Sequence, residues 1–185
     1  MEPFQQGALD CTCGLYAVIN AIRLAVGDNR LASAESCLGL YYSFIQTLEH
    51  KQSVVFALQE GLSTQMISAL LHTAKVHLRA NMGLKLDWQK PFHNRPTQNL
   101  GPVLTLISTH RSRGGSVILG TEGKHDHWTV VQKVTSKSLM LADSNNLKSF
   151  AVSKICIADK PQNGKLHRIC ISSIFLLRCD SLNSR

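Results

Sequence analysis

The hydrophobic period changes near residue 113, and this change limits the folds open to the chain more than any other feature. Before it, apolar residues recur at three- and four-residue spacing. After it they come as short β-branched runs broken by Gly, Ser, Asn, Asp and Lys. Ala17, Val18, Ala21, Ile22 and Ala25 mark a helix from Gly14 to Val26, which Gly27-Asp28-Asn29 stops. A second helix is expected after Ser33, with Leu38, Tyr41, Tyr42, Ile45 and Leu48 inward. A third is expected near Ser63 to Val76, with Met66, Ile67, Leu70 and Leu71 inward. Leu84 to Leu100 carries Pro91, His93, Asn94 and Pro96 and reads as an irregular connection, with a further helix over Gly101 to His110. Ser116 to Gly120, His127 to Val134, Leu139 to Ala142, Ser149 to Ile157 and Ile169 to Leu177 read as an antiparallel sheet.

The pattern predicts an α+β domain over residues 1–185, with a helical half at about 1–112 and a sheet half at about 113–180. At 44% hydrophobic and 17% charged, the chain can close one core without disulfides. No apolar run is long enough to cross a bilayer, because Arg23 and Asp28 interrupt the most hydrophobic stretch. The first residues lack the basic region of a Sec signal, so the expectation is a cytoplasmic protein or one exported by another route. A monomer is expected.

The six cysteines are Cys11, Cys13, Cys37, Cys156, Cys170 and Cys179, and reduced thiols are expected. Cys37, Cys156 and Cys170 have apolar neighbours and read as small hydrophobes. The net charge of +8 suggests an acidic partner. Its basic groups, Arg111/Arg113 and Lys160/Lys165/His167/Arg168, are small and lack interleaved aromatics, which argues against a nucleic-acid partner.

The residues with chemistry lie at two places. Gln5-Gln6-Gly7-Ala8-Leu9-Asp10-Cys11-Thr12-Cys13-Gly14 sets two thiols in a turn that opens into the first helix. The free N–H groups of a helix N-terminus favour a thiolate and can hold an oxyanion. Cys13, immediately before Gly14 and the helix, is the candidate nucleophile, and Cys11 the alternative. A thiolate also needs a proton carrier, which His127 at the head of a strand can supply. Sixteen residues on, across a hairpin, Asp143 can return beside His127 and fix its tautomer, with Asn145 and Asn146 ranking second. Trp128 is a candidate wall of the cleft.

Cys at the start of a helix, His at the start of a strand and Asp at the end of the next resembles the papain-like superfamily. Cys13 to Ala21 (CGLYAVINA) and the His127-Trp128-Thr129-Val130-Val131 strand followed by Leu141-Ala142-Asp143 most resemble bacteriocin-leader peptidase domains and related bacterial effector peptidases and deamidases. The resemblance implies a cleft between a helical and an antiparallel half. It also implies a glutamine that completes the oxyanion hole, six positions before the nucleophile. Gln6 stands seven before Cys13, and Gln5 six before Cys11.

The expected activity is that of a thiol peptidase acting through a thioester on a protein or peptide. A glutamine deamidase or transglutaminase would share this chemistry, and a non-catalytic binding module is the competing class. No cofactor is expected. The metal alternative, Cys11, Cys13, His125 and His127, matches no common zinc spacing. His50, His72, His77, His93, His110 and His167 show no paired spacing that points to chemistry.

Overall fold

A computed structural model describes residues 1–7, 10–27, 29–51, 53–93, 99–124, 126–159 and 163–182. The fold is α+β, and it is organised around the helix α1 (Cys13–Val26). Leu15, Ala17, Val18, Ile19, Ala21, Ile22 and Ala25 are buried on several faces of that helix, as befits a helix inside a domain rather than on its surface. Gly27 ends it in the left-handed conformation (φ 70°), and its N–H bonds to the Arg23 carbonyl. Helices α2 (Ala34–Lys51), α3 (Val54–Glu60) and α4 (Thr64–Met82) follow. Ser63 caps α4 by accepting the Met66 N–H at 3.2 Å.

The remaining elements are β1 (Leu84–Gln89), α5 (Leu100–Ser112), β2 (Ser116–Gly123), β3 (His127–Val134), β4 (Ser138–Leu141), β5 (Ser149–Ala151), β6 (Ile155–Ile157) and β7 (His167–Ser181). The strands run in the order β1-β7-β2-β3-β4-β5, all antiparallel, while β6 lies parallel to β7. Both sheet faces are covered. Ile118, Trp128, Val130, Phe175 and Leu177 join α1, α2 and α4 in one core, and Val117, Leu119, Val131, Ile174 and Leu176 join α5 in the other. Burial on both faces explains why these strands read as continuous apolar runs.

Four expectations need correction. The segment Leu84–Gln89 is a strand in register with the far end of β7, from Leu84↔Ser181 to Gln89↔Leu176. Its short alternation buries Leu84 and Leu86 and exposes Lys85, while Asp87 accepts from Lys75 and Lys85. Residues 149–157 are two short strands separated by a 3₁₀ turn, and the second pairs in parallel. The inward stripe of α2 is Cys37, Leu40, Phe44 and Leu48, which leaves Leu38 and Tyr42 exposed. Helix α3 adds an element between the second and third expected helices. Asn94 and Pro96 lie outside the described residues. Among the described residues, no helix is long and apolar enough to cross a membrane.

The N-terminal segment is fastened across α1 by two buried polar residues. Asn20 accepts the Phe4 N–H at 2.8 Å and donates to the Phe4 carbonyl at 3.0 Å. Arg23, 5% exposed, donates to the carbonyls of Glu2, Leu31 and Ala32, and its guanidinium lies 3.7 Å from the centre of the Phe4 ring. Replacing Arg23 by Ala strips charge-assisted donors from three carbonyls. We expect Arg23→Ala to lose about 3 kcal/mol of stability, read as a midpoint shift in urea unfolding.

Candidate active site

The nucleophile turn is shaped by Asp10. One carboxylate oxygen accepts the Thr12 N–H at 3.0 Å and the Thr12 hydroxyl, and the other accepts the Gly7 N–H at 3.0 Å. Thr12 is the cap residue of α1, and its carbonyl accepts the N–H groups of Leu15 and Tyr16. Cys13 is therefore the first residue of the helix, half-buried, while Cys11 is exposed. Gly14 is tightly enclosed, so that a side chain there would push its neighbours aside by a few tenths of an ångström. A Cβ there would stand 3.0 Å from Ile67 and Leu62 and 3.1 Å from Trp128.

His127 opens β3, and its Nε2 lies 2.8 Å from Asp143 Oδ2. The His127 side chain is 7% exposed and that of Asp143 is fully buried. The other carboxylate oxygen, Oδ1, accepts the N–H groups of Asn145 at 2.7 Å and Leu147 at 3.3 Å. The Asn145 backbone thus supports Asp143, and the Asn145 and Asn146 side chains are exposed. Burial alone would lower the pKa of the imidazole. Hydrogen bonds to Asp143 and to the Cys13 thiol group overcome it, raising the His127 pKa to about 9. Burial, the largest single influence, raises the Asp143 carboxyl, but the hydrogen bond and charge of His127 and the other hydrogen bonds to the carboxylate together outweigh it and leave the pKa below the usual carboxylate value. Cys13, His127 and Asp143 are thus brought together, and Cys13 rather than Cys11 meets the imidazole.

A cleft of about 300 Å³ opens beside this pair. One side is the Gly61-Leu62 lip, held where Trp128 Nε1 donates to the Leu62 carbonyl at 2.6 Å and the Cys11 N–H donates to the Leu58 carbonyl at 2.9 Å. The other side is a wide bulge in β7, where the register jumps from Leu119↔Ile174 to Thr121↔Ile169. Gly120 lies opposite the bulge, and a Cβ on it would come within 2.7 Å of Ser173. Trp128 both lines the cleft and packs in the core.

Several of these features were not expected from the sequence. The lip, the bulge and three carboxylates in the cleft, Glu60, Glu122 and Asp126, come from distant segments, with no local signal to connect them. An overall charge of +8 gave no hint of an acidic cleft. Cys170 also departs from expectation, since it is half-buried and donates to Glu122 Oε1 at 3.1 Å. Burial, with Glu122 adding to it, pushes its thiol up to about 12. Cys37 and Cys156 are buried, and none of the six cysteines is in a disulfide.

Neither glutamine lines the cleft. Gln5 is exposed, and its Nε2 donates to the carbonyls of Pro3 and Asp143. Gln6 spans the two site turns. Its Nε2 donates to the Asp10 carbonyl at 3.4 Å, its Oε1 accepts the Ser144 hydroxyl at 3.1 Å, and its N–H donates to the Ser144 carbonyl at 3.0 Å. His125 lies outside the described residues. Among those described, no group of three or more His, Cys, Asp or Glu could hold a metal. No family model, curated protein or solved structure matches this chain.

The raised pKa of His127 gives a testable sign. Because it lies above the ordinary value of 6.5, the pair's contribution to stability is full below that value and is lost as pH rises through about 9. NMR titration of the imidazole should find the midpoint near 9 in the wild type. In Asp143→Asn the midpoint should fall well below that of the wild type, because burial remains while the carboxylate is gone.

Proposed function

We propose that this chain is a papain-like cysteine hydrolase acting on a protein or peptide. The observation that carries the reading is the buried Asp143 to His127 hydrogen bond, set on the same cleft as the thiol of Cys13 at a helix N-terminus. An antiparallel sheet packed behind that helix supports the papain-like assignment.

In the proposed reaction the Cys13 sulfur attacks a carbonyl carbon, and an S–C bond forms as the carbonyl electron pair moves to oxygen. His127 gives its proton to the leaving nitrogen as the C–N bond breaks, leaving a thioester and a free amine or ammonia. Water then attacks the thioester carbon, losing its proton to His127, and the C–S bond breaks to release the carboxylic acid and restore the Cys13 thiolate. Asp143 holds the ring so that Nε2 stays on the carboxylate and Nδ1 remains for the sulfur and the leaving group. The oxyanion falls to the N–H of Cys13 at the start of α1, since neither Gln6 nor Gln5 lines the cleft. Glu60, Glu122 and Asp126 favour a basic substrate side chain in the cleft. The acidic target suggested by overall charge would have to bind elsewhere on the surface.

Cleavage and deamidation differ in the acyl donor and not in the machinery. Mass spectrometry of a bacterial proteome incubated with wild type and with Cys13→Ala separates them. New peptide termini made only by the wild type mean a peptidase, and gains of about 1 Da at glutamine mean a deamidase. We expect Cys11→Ala to keep activity within about threefold and Cys13→Ala to lose at least about a thousandfold. Full activity in Cys13→Ala would overturn the assignment.

A further inference from the structure

Building on the reading of Cys13 as the nucleophile, we propose that Cys11 is its redox partner. A peroxide oxidises Cys13, Cys11 closes a disulfide onto it, and the site stays off until a dithiol reopens the bond. The turn is already folded for that bond. Thr12, between the two thiols, sits at φ −85° and ψ 20°. This helix-like conformation brings the Cα atoms of residues 11 and 13 to about 5.5 Å, inside the range that a disulfide spans. The Cys13 sulfur turns back over residue 11 and stands 3.9 Å from the Cys11 carbonyl oxygen. Both halves of the turn are held, since the Cys11 N–H donates to the Leu58 carbonyl at 2.9 Å and Asp10 accepts the Thr12 N–H at 3.0 Å. Little ordering is left for the closing step.

Cys11, Cys13 and Cys170 all line the cleft, and they are not equivalent. Cys11 is exposed, so a reductant reaches it from solvent. Cys170 is half-buried and donates to Glu122 Oε1 at 3.1 Å, and burial with that carboxylate keeps it as the protonated thiol, the form that does not attack sulfur. In the first step the Cys13 sulfur attacks a peroxide oxygen. An S–O bond forms, the O–O bond breaks, and the departing hydroxide leaves with the Cys13 thiol proton as water; sulfur is oxidised by two electrons and the peroxide is reduced. In the second step the Cys11 sulfur attacks the Cys13 sulfur. An S–S bond forms, the S–O bond breaks, and hydroxide leaves with the Cys11 thiol proton as a second water. Without Cys11, a second peroxide carries Cys13 on to the sulfinic acid, which dithiols do not reverse.

Trypsin leaves the pair on one peptide, residues 1–23, which holds no other cysteine, and puts Cys170 on residues 169–178. The full chain is treated with hydrogen peroxide, its remaining thiols are blocked with N-ethylmaleimide, and the peptides are weighed. We expect the 1–23 peptide to carry no maleimide and to weigh about 2 Da less than its dithiol form, and dithiothreitol to restore both thiols. In Cys11→Ala we expect Cys13 to gain about 32 Da as the sulfinic acid, which dithiothreitol leaves in place. Sulfinic acid on Cys13 of the wild type, a cross-link from Cys13 to Cys170, or a 1–23 peptide with both thiols labelled would overturn the inference. The wild type alone decides it should Cys11→Ala not fold. Acylation by 4-nitrophenyl acetate separates this inference from the reading beneath it. Cys13 acylated in the reduced protein with no disulfide after peroxide removes the switch and leaves the nucleophile. A disulfide in a protein whose reduced Cys13 takes no acyl group keeps the thiol pair and removes the hydrolase reading.

Discussion

A carboxylate with no exposed surface must have both oxygens satisfied, and the whole site depends on how Asp143 meets that demand. Oδ1 takes two backbone N–H groups from the turn that follows, so the turn closes on the carboxylate. Oδ2 is left for His127 alone among the described partners, and the hydrogen bond fixes which imidazole nitrogen faces away. The imidazole is itself buried, yet its pKa rises, because the carboxylate and the Cys13 thiol group together exceed the cost of desolvating its charge. The raised pKa of the ring is thus a property of the packing as much as of the three residues.

That packing comes from a sheet buried on both faces. Helix α1 lies against β2, β3 and β7, so its N-terminus arrives at the head of β3, where His127 begins. The two glycines at the contact, Gly14 on the helix and Gly120 on the sheet, are tightly enclosed, and Trp128 fills the space beside both. Trp128 also holds the Gly61-Leu62 lip through its indole N–H, so the cleft wall and the core share one side chain. Arg23 and Asn20, on the same helix, hold the segment that carries Gln5 and Gln6.

Much of this was legible in the sequence wherever one element determined it. The expected first helix differs from α1 by one residue, and the strand expected from His127 to Val134 is β3 as found, because long periodic runs with clear stops leave little choice. The juxtaposition of Cys13, His127 and Asp143 followed from order along the chain and one hairpin. What stayed hidden depends on distant partners. β1 is six residues with two charges, and only β7 makes it a strand. The α2 stripe shifted by a residue because tyrosines can face solvent as readily as core. Cys170 read as a small hydrophobe until the bulge brought Glu122 to it. The Ser144 hydroxyl carries no signal in the sequence, because its partner Gln6 lies 138 positions away.

In the proposed reaction the imidazole held by Asp143 makes Cys13 a nucleophile toward acyl groups. The most direct test of this is intact-mass spectrometry of the protein mixed with an activated ester and quenched in acid, followed by peptide mapping of the added acyl group. The account predicts one thioester, on Cys13, which is absent in His127→Ala. An acyl group on Cys11 or Cys170, or an unchanged thioester on Cys13 in His127→Ala, would contradict it.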